Sequence, residues 1–456
     1  MQASAPSVLP DPRPSLWAQL VRPQEDLGEF STAEWVFYGA ILLTPLWWLS
    51  GLQSLFFPSI VWGLLLLNFQ PEKLLRVSLP MMAWAWLAMA LTAAGCAFAG
   101  LASIGFPLMK TAATGVTLFK GYGMISAAII LPFWAKLRLK VVTRGVCWLS
   151  FMYIVGIVVL FLLLFAGLWT EPFFPPLAKV IPGDKLALRV SPAGFQEFFG
   201  IVFPRTSLFT PDPPIPGVIG VLSFFVCLGE SQTSLRRLGC AGALVSLVVS
   251  QSRLAWITFP AVLLVSLAFR RMSVRQGSLW GSALVNALCG FLGVSVAQLL
   301  AQAKAVFTGA RADSSKDRAL VVGKTLEAWL DQPWFGWGIA MGSVRWHIYD
   351  IVLGSFSTYA GVLYLQGVFG MVVFLTALAA SLFNFWVGAR RGDRVCQRAF
   401  ATILALCLLV EGLPLSWMCV YYWFFFVWLG AVLAERSPQR PLPRTWEQLL
   451  ALQYSA

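Results

Sequence analysis

Charge is scarce in this chain: 12% of its 456 residues are Asp, Glu, Lys or Arg, against 58% hydrophobic. Soluble domains carry roughly 25% charged residues, so an ordinary water-soluble domain is excluded. Histidine is scarcer still, with His347 alone. One imidazole and few carboxylates cannot easily fill a zinc or iron shell, so no protein-ligated metal and no cofactor is expected. The eight cysteines (Cys96, Cys147, Cys227, Cys240, Cys289, Cys396, Cys407, Cys419) form no CxxC pair and have no neighbouring histidine. They read as packing residues, not ligands or disulfides. A phosphate-cradling glycine loop and a short internal repeat are also absent. The first 30 residues lack the apolar core and small-residue cleavage site of a signal peptide, which predicts a tail followed by an uncleaved anchor.

What is present is hydrocarbon. Apolar runs occur near 35–52, 54–69, 79–101, 119–135, 146–169, 215–230, 238–250, 254–269, 279–300, 357–386, 399–414 and 417–434. Runs near 18 residues long cross a bilayer as helices, and these are continuous where a membrane barrel would alternate. The expected fold is therefore all-α: a polytopic membrane bundle of about 12 transmembrane helices. It divides into a tail at 1–34, a transmembrane domain at 35–434 and a second tail at 435–456.

Lys and Arg set the orientation. With a cytoplasmic N-terminus, 20 of the 33 basic residues fall on cytoplasmic segments, as the positive-inside rule requires. This predicts a plasma-membrane protein with both termini cytoplasmic. The net charge of +13 then needs no nucleic acid to explain it. The lipid bilayer is the partner that composition demands. Residues 170–214, rich in Pro and aromatics, are placed on the outer face as an irregular lid or a floppy connector, together with the turn at 250–253 and a polar island at 301–355.

The island carries eleven charged side chains and the single histidine, and it is where chemistry is expected. Arg253, in Gln251-Ser252-Arg253, sits where the chain re-enters the membrane. Arg311 and Arg318 open the island. An arginine fork suits phosphate and is costly to hold at membrane depth without a partner, so the three are candidates to grip a phosphate or pyrophosphate. The alternative is that Arg253 snorkels and Arg318 pairs with Asp313 or Asp317. After Arg318, Val322, Leu326, Trp329 and Leu330 recur at helical spacing opposite Lys324, Glu327 and Asp331, predicting a short amphipathic helix stopped by Pro333.

The order of these motifs carries a resemblance. Ser252-Arg253, Arg318 with Trp329, Pro333-x-x-Gly336-Trp337-Gly338, Gly354-Ser355-Phe356-Ser357-Thr358-Tyr359 and Gly367-Val368-Phe369-Gly370 together resemble the O-antigen ligase and polysaccharide polymerase superfamily over about residues 240–430. That family carries a His-[Asn/Ser/Gln]-x9-Gly-x-x-Gly pattern. Ser357, Gly367 and Gly370 match it, but the histidine position is Phe356. The resemblance implies a GT-C-like membrane core and a metal-independent, inverting glycosyltransferase. Such an enzyme moves a glycan from an undecaprenyl-pyrophosphate carrier to a sugar hydroxyl on the outer face. It also implies pyrophosphate-gripping roles for Arg253 and Arg318, with a lipid-linked oligosaccharide donor, a glycan acceptor and polysaccharide assembly proteins as partners.

Phenylalanine can accept neither a proton nor a hydrogen bond. Either His347 is the base, or a carboxylate such as Asp350 or Asp313 is, or the chain no longer ligates glycans. Glu411 interrupts an apolar run and either serves the site, pairs with Arg253 or reaches the interface. Gly367 and Gly370 read as helix-packing residues. A solute transporter and a catalytically silent subunit of an assembly complex are the competing functions.

Overall fold

The computed structural model describes residues 27–71, 73, 77–175, 188–198, 200–291, 295–309, 312–346 and 349–437. Most of both expected tails, Arg311 and His347 lie outside them.

Each apolar run falls on a helix. Six helical segments are long and apolar enough to cross a membrane: Met81–Ser103, Leu108–Trp134, Leu139–Phe165, Arg253–Arg270, Thr358–Arg390 and Leu415–Ala434. Gln53–Leu67 and Pro214–Cys227 are shorter apolar helices. The chain is thus a mostly helical membrane protein, and the expected count of twelve crossings is not established. Leu415–Ala434 is the axis of the bundle, with 89% of its apolar window buried inside the protein. Its Trp423, Phe424, Phe425, Phe426 and Trp428 are buried, and Tyr122–Trp134 and Leu139–Phe165 pack against it. Helix association in lipid relies on close packing and interhelical hydrogen bonds. Both occur at Trp86, whose Nε1 donates to Ser381 Oγ at 2.9 Å while its carbonyl accepts from Ser126 Oγ at 2.7 Å. All eight cysteines are free thiols, as expected.

One end of the bundle is stitched by ion pairs and is called here the basic end. Arg138 Nε lies 2.6 Å from Glu34 Oε1, Arg144 Nη2 is 2.9 Å from Glu230 Oε1, and Arg436 Nη2 is 2.7 Å from Asp393 Oδ2. The Arg144–Glu230 pair is buried, each side chain being 2% exposed. Burial pulls the Glu34, Glu230 and Asp393 carboxyls upward. The hydrogen bonds they accept from Arg138, Arg144 and Arg436, with backbone N–H groups, outweigh it and hold all three below the ordinary carboxylate range.

The opposite end carries two β-hairpins, which the mostly helical fold holds outside its bundle. Gly194–Phe198 pairs antiparallel with Ile201–Arg205, Gly194 facing Arg205. Ser343–Trp346 pairs with Tyr349–Val352, Arg345 facing Asp350. Phe195, Phe198, Ile201, Val202 and Phe203 are strand-favouring residues, and Gly200 supplies the left-handed turn position at φ 76°. Residues 170–214 are therefore not simply an irregular lid.

The amphipathic helix runs over Ala312–Leu330, and residues outside its apolar stripe face the protein. Val321 and Thr325 are buried, at 1% exposure each, while Leu326 and Leu330 are exposed. The reason is a polar lock: Thr325 Oγ1 donates to Val321 O and accepts from Gly354 N at 3.0 Å, turning that face toward the chain entering Thr358–Arg390.

Candidate functional site

Four separate pieces of chain meet at the hairpin end. The first is the turn at 250–253. Gln251 adopts a left-handed conformation at φ 49°, Ser250 Oγ accepts from Ser252 N, and Ser252 caps helix Arg253–Arg270 by accepting from Ala255 N. A side-chain cap satisfies one of the unpaired N–H groups that every helix start leaves. Arg253 is thereby fixed as the first residue of that helix. Arg205, the last residue of the first hairpin, latches onto the same turn, with Nε donating to Ser250 O at 2.8 Å and Nη1 to Gln196 Oε1.

The second and third pieces are helix Ala312–Leu330, carrying Arg318, and the segment Gly354–Thr358. The fourth is the elbow at 410–414 between Arg394–Leu409 and Leu415–Met418. Thr358 ties the elbow to the start of its own helix. Its N–H donates to Val410 O, its hydroxyl donates to Leu413 O, and that hydroxyl accepts from Leu415 N at 2.8 Å. Ser357 caps helix Thr358–Arg390 and donates to Glu411 Oε2 at a long 3.4 Å.

Arg318 bridges these pieces. Its Nη1 donates to Gly412 O at 3.3 Å, and its guanidinium carbon stands 5.3 Å from the centre of the Phe356 ring. Among the described residues Arg318 makes no ion pair, so pairing with Asp317 is not what holds it. A carbonyl and an aromatic face position the charge while leaving its remaining N–H donors available. Arg253 lies within Coulombic reach of Arg318, and a Cβ on Gly412 would stand 2.8 Å from Leu254 Cδ2 and 3.9 Å from Arg318 Nη1. Two like charges thus lie near one another, one of them at the glycine elbow, an arrangement that a multiply charged anion relieves.

Phe356 therefore has a part to play that differs from a histidine's: it is the platform under Arg318. Glu411 is exposed and is hydrogen-bonded to Ser357. Asp350 is exposed on the second hairpin, opposite Arg345, and no contact among the described residues joins it to the arginines. Asp313 is in the first turn of helix Ala312–Leu330.

The motif glycines form a backbone joint. Helix Thr358–Arg390 breaks at Gly367, φ 67° and ψ −166°. The groups freed there bond to the turn after Pro333: Trp337 N to Tyr364 O, Gly338 N to Leu365 O, Val368 N to Pro333 O and Phe369 N to Trp334 O. A Cβ on Gly367 would meet Trp334 C at 2.3 Å and one on Gly336, φ 66°, would meet Leu365 C at 2.5 Å. Both positions require glycine for conformation and for space. The two glycine motifs are thus the halves of one joint that fixes the island's helix against the membrane helix.

Residues 238–375 match the O-antigen ligase family model. The resemblance read from the motifs holds over that stretch, which contains Arg253, Arg318, Phe356 and both motif glycines and stops short of Glu411. No curated protein matches the chain. The match supports a membrane ligase or polymerase role in polysaccharide biosynthesis.

The structure brings together Arg253, Arg318, Phe356, Ser357 and Glu411. Sequence reasoning missed Arg205. It sits in Phe203-Pro204-Arg205, inside a segment read as a lid, and no motif marks it.

Proposed function

We propose that this chain transfers a glycan from a polyprenyl-pyrophosphate carrier to a sugar hydroxyl, with the hairpin end on the outer face of the plasma membrane. The observation that carries this reading is Arg318, held by Gly412 O and Phe356 next to Arg253. In the reaction the acceptor oxygen attacks the anomeric carbon from the side opposite the carrier. The bond from that carbon to the pyrophosphate oxygen breaks, and its electron pair stays on the departing pyrophosphate. Arg253 and Arg318 stabilise that growing charge with donors already in place, so little reorganisation is needed. Arg205 holds the turn that presents Arg253.

The acceptor proton needs a base, and Glu411 is the carboxylate we assign to it. It is hydrogen-bonded to the residue beside Phe356, and it adjoins Gly412 on the elbow that Arg318 contacts. His347 and Asp350 remain the candidates it displaces. The orientation draws on the basic end, where Arg138, Arg144, Arg270, Arg390 and Arg436 gather.

The test is a profile of surface polysaccharide and carrier-linked glycan in cells lacking the gene, complemented with wild type, Arg318→Ala, Glu411→Gln or Asp350→Asn. Carrier-linked glycan should accumulate in the deletion and be cleared by wild type and Asp350→Asn, but not by the other two. An unchanged profile in the deletion rejects transfer. A second reading, a silent subunit, draws on Phe356, and clearance by Arg318→Ala and Glu411→Gln at wild-type level would favour it.

A further inference from the structure

A small cavity lies at the hairpin end, built by residues outside the Arg253–Arg318 cluster. Gly51 and the helix start Gln53–Ser54 form one wall, Leu188–Arg189 another, and Thr210–Pro211 with Tyr421 the rest; Trp48 closes it. No carboxylate lines it among the described residues. Trp48, Gln53 and Ser54 are more than nine-tenths buried, at 6%, 5% and 6% exposure. Arg189 Nε and Trp48 Nε1 are buried and have no hydrogen-bond partner among the described residues. Both groups can only donate. Two unanswered donors around one cavity, one of them charged, call for an acceptor, since a buried donor left unmade is destabilising. Thr210 is not short of partners, because its hydroxyl already contacts Ser207 O and Asp212 O.

We propose that this cavity is an oxyanion subsite in which Arg189 and Trp48 Nε1 hold one oxygen of a carboxylate or phosphate group. The cavity has room for roughly one water-sized group at its centre. That admits a single anionic oxygen and excludes a sugar ring, so the rest of the ligand stays at the surface beside the half-exposed Arg189. A neutral acceptor such as water would satisfy the donors without using the charge. An oxyanion uses both, and an arginine fork favours it. The inference does not rest on the transfer reading, because none of these residues belongs to the Arg253–Arg318 cluster.

The experiment uses purified full-length protein in detergent, carrying Arg318→Ala to silence the other arginine cluster. Thermal unfolding is followed with inorganic phosphate, glucuronate or glucose at constant ionic strength. A ligand that binds only the folded state raises the midpoint in a saturable way. We expect one of the two anions to do so and glucose not to. Adding Arg189→Gln should weaken that response at least tenfold. Trp48→Phe, which keeps a ring and removes the N–H, should weaken it severalfold and serves if Arg189→Gln does not fold. A response to phosphate alone assigns a phosphoryl ligand; a response to glucuronate alone assigns an acidic sugar. No saturable response to either anion, or one that Arg189→Gln and Trp48→Phe leave unchanged, overturns the proposal. Glycan transfer is read separately on the Arg318 single variant, so either idea can fail without the other.

Discussion

The arginine–carboxylate pairs among the described residues gather at one end of the bundle, where Arg270 and Arg390 meet an amide and an aromatic ring. At the basic end Arg138, Arg144 and Arg436 each meet a carboxylate, and the pair at Arg144 is almost wholly shielded from solvent. At the hairpin end Arg318 meets a carbonyl and an aromatic ring. A guanidinium neutralised by a neighbouring carboxylate contributes to the fold. One positioned by neutral groups keeps its charge available to something else. The difference sets Arg318 apart from the carboxylate-paired Arg138, Arg144 and Arg436, and it can be broken or sharpened by substitution.

The largest expected effect is at the basic end. Glu230→Gln leaves Arg144 buried with its charge uncompensated, which costs about 3–5 kcal/mol when one partner of a buried pair is removed. A detergent-solubilised variant should melt far below wild type or fail to fold, and a wild-type melting curve would show that the pair is not structural. Arg318→Ala should act the other way, with a near wild-type melting curve and transfer reduced about 10²–10³-fold, the usual cost of one donor to a developing oxyanion. A collapsed melting curve for Arg318→Ala would erase the contrast with the carboxylate-paired arginines.

Gly367→Ala is next. Its methyl would press on the Trp334 peptide and its φ is strained for alanine, so a loss on the order of 1–3 kcal/mol is expected. Cross-linking or hydrogen exchange at the Pro333–Gly338 turn should report the opened joint, and unchanged protection there would remove the joint from the account. Smaller still is Phe356→Leu, which deletes the platform under Arg318 and should cost about 0.5–1 kcal/mol of transition-state stabilisation, several-fold in transfer. A variant as inactive as Arg318→Ala would mean that Phe356 does more than support a guanidinium.

Acid gives the gentlest test. Glu34, Glu230 and Asp393 are held below the ordinary carboxylate range, so the stability they contribute is complete above roughly pH 4–5. It is lost as pH falls through their lowered values. The melting midpoint should therefore decline in acid. Asp393→Asn should cost under about 1 kcal/mol at neutral pH, because its pair with Arg436 is about one-third exposed. Its melting profile should flatten slightly in acid, and a midpoint that rises as pH falls would contradict the sign.

Much of the helix plan was legible because continuous apolar runs allow little else in a membrane, and each run indeed carries a helix. The strands were not legible. Ile201–Arg205 and Tyr349–Val352 are four or five residues long inside proline-rich or charged surroundings, where a strand signal is weak. The face that Ala312–Leu330 turns to the protein was not legible, because Thr325, a polar residue, is locked inside by Gly354 N, while Leu326 and Leu330 are exposed. Arg253 and Arg318 stand 65 positions apart, and ordered motifs alone linked them. Arg205 had no motif, and its place at the same turn comes from a hairpin that no pattern announced. Gly336 and Gly367 were visible as motif residues, but only their mutual backbone contact explains why a side chain is excluded at each.

Binding of a polyprenyl-pyrophosphate analogue to the purified protein tests the central claim most directly, with Arg318→Ala compared against Arg436→Ala. The account predicts at least tenfold weaker binding for Arg318→Ala and unchanged binding for Arg436→Ala. Equal affinity in both variants, or a loss confined to Arg436→Ala, would contradict it.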